Sequence, residues 1–130
     1  MSSEVQPTPK RQGILIVDDD RQVLALLGMY LRSRGFQVWA ASTAQEALEI
    51  QAKHGDSIEL ALLDVQLPEV DGPGIMIALQ QADPKLRFCF MTGESGRYHP
   101  RDLQAMGALE VFAKPFDLSA LAAALAKFMA

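Results

Sequence analysis

Gly13–Val23 reads GILIVDDDRQV, so four apolar residues run directly into three consecutive aspartates. Two carboxylates about 4 Å apart repel by roughly 4 kcal/mol at an effective dielectric near 20. An acidic run placed there is poorly made for stability alone, and something must cancel its charge. The apolar half, Ile14–Val17, is a short, largely β-branched run with polar flanks, the pattern of a strand buried on both faces.

Working outward, helical and strand signals alternate. Val23, Leu24, Leu27, Tyr30 and Leu31 recur at helical spacing between about Arg21 and Arg34, and Gly35 stops that helix. Phe36–Ala41 returns to strand. Ser42 or Thr43 then caps a helix running through about Lys53, with Glu46 near its first turn, His54 at its end and Gly55 as the stop. Ile58–Asp64 is a third strand ending on another aspartate. The loop VQLPEVDG leads to a helix from Pro73 to about Ala82, in which Asp71 belongs to the entering turn. Leu86–Thr92 is the fourth strand. The polar stretch GESGRYHP leads to a short helix near Pro100 that Gly107 stops. Leu109–Ala113 is the fifth strand, and Asp117 caps a final helix rich in alanine and leucine. Five such β-α units imply a parallel sheet covered on both faces.

The 130 residues suit one domain, and 49% hydrophobic with 22% charged residues reads as globular. We assign residues 1–12 to a flexible tail and 13–130 to the domain. The net charge of −4, with 12 scattered basic residues, argues against direct nucleic-acid binding. No apolar run is long enough for a membrane helix, and the N-terminus lacks the apolar core of a secretory signal. Cys89, the single cysteine, reads as a small buried hydrophobe, and a reducing cytoplasm is the expected location.

In an open parallel sheet, ligands bind outside the carboxyl ends of the strands. Those ends carry Asp18 and Asp19, Asp64, Thr92 and Lys114. Three carboxylates without Cys or His suit a hard divalent cation, and Mg²⁺ fits better than calcium or zinc. A carboxylate beside such a cation can attack phosphorus and form an aspartyl phosphate. Lys114 would neutralise the transferring oxygens, and the Thr92 hydroxyl would hydrogen-bond one of them.

The order VDDD, LLDVQLPEVDG, MTG, KPF, each at an expected strand end, resembles the receiver domain of two-component response regulators over about Gly13–Met129. The resemblance implies a flavodoxin-like three-layer sandwich: a five-stranded parallel sheet in the order 2-1-3-4-5 with five helices. It implies that Asp64 is the phosphoacceptor, that Asp18 and Asp19 are the acidic pair, and that the Gln66 backbone carbonyl completes the metal ligands. Thr92 and Lys114 match the switch hydroxyl and the phosphate-sensing lysine, and Pro115 matches a proline often preceded by a cis bond. Asp20 falls outside this set and is read as a helix cap.

The chain is thus expected to be a Mg²⁺-dependent signalling switch. It would be no enzyme toward other molecules, catalysing only its own phosphorylation and dephosphorylation. A sensor histidine kinase or phosphotransfer protein would be the donor. Output would pass to a protein partner through the face of the fourth helix, fifth strand and fifth helix, or to an effector domain absent from this chain; a homodimer is also allowed. Gln66 and Glu94 would flank the site where phosphoryl lifetime is tuned. The competing reading is an aspartate-nucleophile phosphatase of haloacid-dehalogenase type. There Asp18 and Asp20 offer D-x-D, but Gln22 stands where a hydroxyl or valine is needed. The chain departs from the receiver pattern at Val111, three before Lys114, where the family usually has Tyr or Phe. Phe112 points to the opposite face and cannot replace that ring. Tyr98 and His99 could stand in, but a solvated loop is the expected reading for both.

Overall fold

The computed structural model describes residues 12–93 and 98–129. Residues 1–11 of the expected tail, and Glu94, lie outside the described residues. The strands are β1 (Gly13–Val17), β2 (Gln37–Ala41), β3 (Ile58–Asp64), β4 (Arg87–Thr92) and β5 (Val111–Ala113). The helices are α1 (Arg21–Ser33), α2 (Ala44–His54), α3 (Gly72–Ala82), α4 (Pro100–Ala105) and α5 (Leu118–Phe128). All strand pairs are parallel, in the order β2-β1-β3-β4-β5.

Alternation along the strands divides the core in two. Leu15 and Val17 of β1 face a cluster with Ala47 of α2, Ile75 and Leu79 of α3 and Leu103 of α4. Ile14 and Ile16 face the other side, against Leu27 and Leu31 of α1 and Leu121 and Leu125 of α5. Each fully buried branched aliphatic contributes about 1.5–3 kcal/mol relative to exposure, which makes these two layers the main source of stability.

Local signals account for most of the boundaries. Asp20 caps α1 by accepting from the N–H groups of Gln22 and Val23. Gly35 stops that helix at φ +95°, and Gly107 follows α4 at φ +102°. Thr43 caps α2, while Glu46 accepts from the Ser42 N–H and hydroxyl, which lowers the Glu46 pKa. Asp117 caps α5 through the Ala120 N–H.

Two further boundaries frame β3 and β5. Gly55 stops α2 as expected, capping it in a right-handed conformation, and opens one 3-10 turn, Gly55–Ser57, that feeds β3 directly. Strand β5 is shorter than expected, although Leu109 N–H still donates to Phe88 O and Glu110 O accepts from Phe90 N–H. Arg87 also pairs with Glu59 across β3 and β4. His54 stacks on Trp39, centroids 5.1 Å apart, so it packs the β2 edge.

Candidate functional site

Sheet register solves the puzzle of the acidic run. Val17 pairs with Leu63, so the next residues, Asp18 and Asp64, emerge side by side. Asp64 pairs with Met91 and Thr92 with Ala113, which brings Thr92 and Lys114 to the same rim. The Lys114 N–H donates to Thr92 O at 2.8 Å, tying those two ends together.

The charge is partly offset locally by an ammonium. Lys114 Nζ donates to Asp18 Oδ2 at 2.7 Å and to Asp64 Oδ2 at 3.2 Å. Asp18 is fully buried, and its other oxygen accepts the Asp20 N–H at 2.9 Å. Asp64 is 5% exposed and accepts the Gln66 N–H at 3.2 Å. Burial, then the Asp18 charge, push the Asp64 carboxyl up to about 6, with Lys114 opposing. Burial works against the Lys114 ammonium, but its bonds to Asp18 and Asp64 outweigh that and leave its pKa raised.

Asp18, Asp19 and Asp64 each offer a carboxylate oxygen, and the three atoms lie within 4.8 Å of one another. An oxygen-only set of this size fits a hard divalent cation. Asp19 is the exposed member and opens to solvent. Thr92, 9% exposed, does not yet reach the acids: its hydroxyl donates to Gly93 O at 3.2 Å. The Lys114–Pro115 bond is cis.

The loop after Asp64 is tightly drawn. Val70 N–H closes a three-residue turn on Pro68 O, with Glu69 at φ +70°. A Cβ on Gly72 would fall 2.5 Å from the Asp64 carbonyl oxygen and 3.0 Å from Val65 Cα. Both obstacles are backbone. Gly72→Ala is therefore expected to lower the melting temperature by several degrees, since overpacking costs about 1–3 kcal/mol or more. Thermal unfolding followed by circular dichroism checks this; an unchanged midpoint would contradict the close approach.

One sequence expectation is corrected here. Tyr98 does not belong to a solvated loop: its ring is half-buried against the α2–α4 side of the core, and its hydroxyl donates to Asp71 Oδ2 at 2.7 Å. His99 Nδ1 accepts the Arg101 N–H and caps α4. Val111 packs on the same side as Tyr98, and Phe112 on the opposite side, as strand alternation requires. Nothing in the local pattern pairs Tyr98 with Asp71, because they lie 27 residues apart in the chain. A groove of about 790 Å³ beside the acids includes Asp19, Gln66, Glu69, Asp71 and Tyr98 in its walls. A second, apolar groove of about 470 Å³ runs from Lys114 along Val23, Leu26, Leu27, Phe116 and Leu118.

The family description of the response regulator receiver domain matches residues 14–126. The chain belongs to that family. The receiver is 33% identical over 116 residues to sporulation initiation phosphotransferase F of Bacillus subtilis, covering 89% of this chain and 92% of that protein. It is 34% identical over 109 residues to the sensor kinase CckA of Brucella abortus, covering 84% of this chain and 12% of that protein. A crystal structure of a response regulator receiver domain protein from Clostridium thermocellum superposes with a TM-score of 0.82 at 25% identity, covering 90% of this chain and 93% of that one. These likenesses agree with the five-stranded flavodoxin-like sandwich and the observed strand order. Among the described residues, no helix is long and apolar enough to cross a membrane.

Proposed function

We propose that this receiver is a phosphorylation-driven switch whose acceptor is Asp64. The observation that carries the reading is the rim itself: Asp18, Asp19 and Asp64 within 4.8 Å, with Lys114 bonded to two of them. An Asp64 oxygen attacks phosphorus, the N–P bond of a donor phosphohistidine breaks, and the imidazole leaves with the electron pair and takes a proton. Mg²⁺ held by Asp18, Asp19, Asp64 and the Gln66 carbonyl would supply positive charge for the transferring oxygens. Lys114 turns its ammonium from the carboxylates toward the new phosphoryl group, and the Thr92 hydroxyl leaves Gly93 O to donate to it. In this reading the chain catalyses only its own phosphorylation and dephosphorylation.

Incubation with acetyl phosphate and Mg²⁺, followed by intact-mass measurement, tests the assignment. One phosphoryl group should be gained, and an unchanged mass would sink it. Turnover of a generic phosphoester would favour the phosphatase alternative.

The donor in this reading is a histidine kinase or phosphotransfer protein. Support comes from the apolar groove that shares Lys114 with the site, since a protein presenting a phosphohistidine to Asp64 must cover it. Leu26, 58% exposed, lines that groove. Leu26→Glu is expected to slow phosphorylation by the protein donor at least severalfold while leaving the acetyl phosphate rate unchanged. Equal rates from both donors would remove the groove from the reading. Output passes through the α4–β5–α5 face to a protein partner, a second copy included, or to a linked effector domain. A cytoplasmic location belongs to the same proposal; Cys89 is buried and its thiol pushed up to about 12 by that burial, so it asks for no oxidising compartment.

A further inference from the structure

Asp71 joins two parts of the fold with its two oxygens. Oδ1 accepts the Gly74 N–H at 3.0 Å and caps α3. Oδ2 accepts the Tyr98 hydroxyl at 2.7 Å, two residues before α4. The next residue, Gly72, donates its N–H to Val65 O at 3.0 Å and lies against the Asp64 carbonyl, too close for a Cβ. A short strut of backbone and hydrogen bonds therefore connects the end of β3, where Asp64 sits, to the entry of α4.

Position 111 carries valine, and Tyr98 sets its ring on that same side of the sheet. Only six positions along the chain separate Tyr98 from Thr92. The Thr92 hydroxyl donates at 3.2 Å to its neighbour's carbonyl, a bond that a phosphoryl oxygen can readily outcompete. The strut through Gly72 and Asp71 ties the Tyr98 bond to the backbone of Asp64, the residue toward which Thr92 would move.

We propose that Tyr98 and Asp71 form a latch that holds the entry of α4 against α3 at rest and opens when Asp64 carries a phosphoryl group. The inference rests on the phosphorylation reading above. Tyr98 is a positioning residue in this scheme: it touches neither donor nor metal and acts through Asp71. Two states with different bonds are what a switch requires, because a ligand shifts an equilibrium only by its differential interaction with them. At rest the tyrosine bonds the carboxylate; after phosphorylation the Thr92–phosphoryl bond takes its place.

The chain has two tyrosines, Tyr30 and Tyr98, so 3-fluorotyrosine labelling gives two resonances that Tyr30→Phe assigns. Beryllofluoride with Mg²⁺ should shift the Tyr98 resonance and leave that of Tyr30 in place. Tyr98→Phe keeps the ring and removes the latch, so its apparent affinity for beryllofluoride should rise about three- to tenfold. Asp71→Asn should produce a rise of the same sign, and the double variant should add little to either. Structural damage would instead weaken binding. An unmoved Tyr98 resonance, or an affinity in Tyr98→Phe that is unchanged or lower, overturns the latch. Intact mass of the same proteins after acetyl phosphate and Mg²⁺ separates the two readings: a wild-type chain that gains no phosphoryl mass overturns the phosphorylation assignment, whereas gain with an unmoved resonance overturns the latch alone.

Discussion

Asp64→Asn is expected to take up no phosphoryl group from acetyl phosphate and, at pH 7 without metal, to unfold at a higher temperature than the unsubstituted chain. The first effect is all-or-none, because the amide cannot act as the attacking carboxylate. The second follows from the company Asp64 keeps. Its carboxyl is raised to about 6 by burial and the Asp18 charge, above the ordinary value near 3.8. A group whose folded pKa is raised adds stability below its unfolded pKa and loses that contribution as pH rises through the folded one. The charged form is thus a net burden at pH 7 of about 3 kcal/mol, at about 1.4 kcal/mol per pH unit. The asparagine variant should gain several degrees, and the gap should close as pH falls from about 6 toward 4. Thermal melts at stepped pH in EDTA read this out; a variant that melts below the unsubstituted chain at pH 7 would contradict it.

Lys114→Met should have the opposite effect on the metal-free protein. Its ammonium is the cation bonded to both Asp18 and Asp64, and Asp18 is fully buried. Removing one partner of a buried ion pair costs about 3–5 kcal/mol, because the other charge stays uncompensated. The Asp64 carboxyl should rise further, since the attraction that restrains it is gone. In the proposed switch, Mg²⁺ then meets no competing ammonium among the acids. It should raise the melting temperature of Lys114→Met by more than that of the unsubstituted chain. Phosphoryl uptake should nevertheless slow, because the fixed charge on the transferring oxygens is missing. Equal Mg²⁺ shifts in both proteins would show that Lys114 does not compete for the site.

Residues whose role depends on near neighbours in the chain were readable from the sequence. Asp20 precedes a helical run and caps it; Gly35 and Gly107 end helices at positive φ, where only glycine is unstrained. Ile58–Asp64 has the strand boundaries its apolar run suggests. The rim was readable as well, because a parallel sheet places every strand end on one edge, and four such ends carry Asp, Asp, Thr and Lys. What escaped depends on contacts between segments distant in sequence. Tyr98 read as loop because its flanks are polar, and only the packed core shows its ring turned inward toward Asp71. The close approach of Gly72 to Asp64 was equally hidden, since glycine after aspartate is an ordinary turn pair. Gly55 was readable as the stop of α2, but the 3-10 turn it opens before β3 was not foreseen.

Lys114 and Asp18 stand 96 residues apart, and their bond spans nearly the whole domain. A nascent chain still short of Lys114 has no counter-ion for the acids and no completed rim. A rim assembled from both ends of the domain is therefore complete only after β5 has joined the sheet.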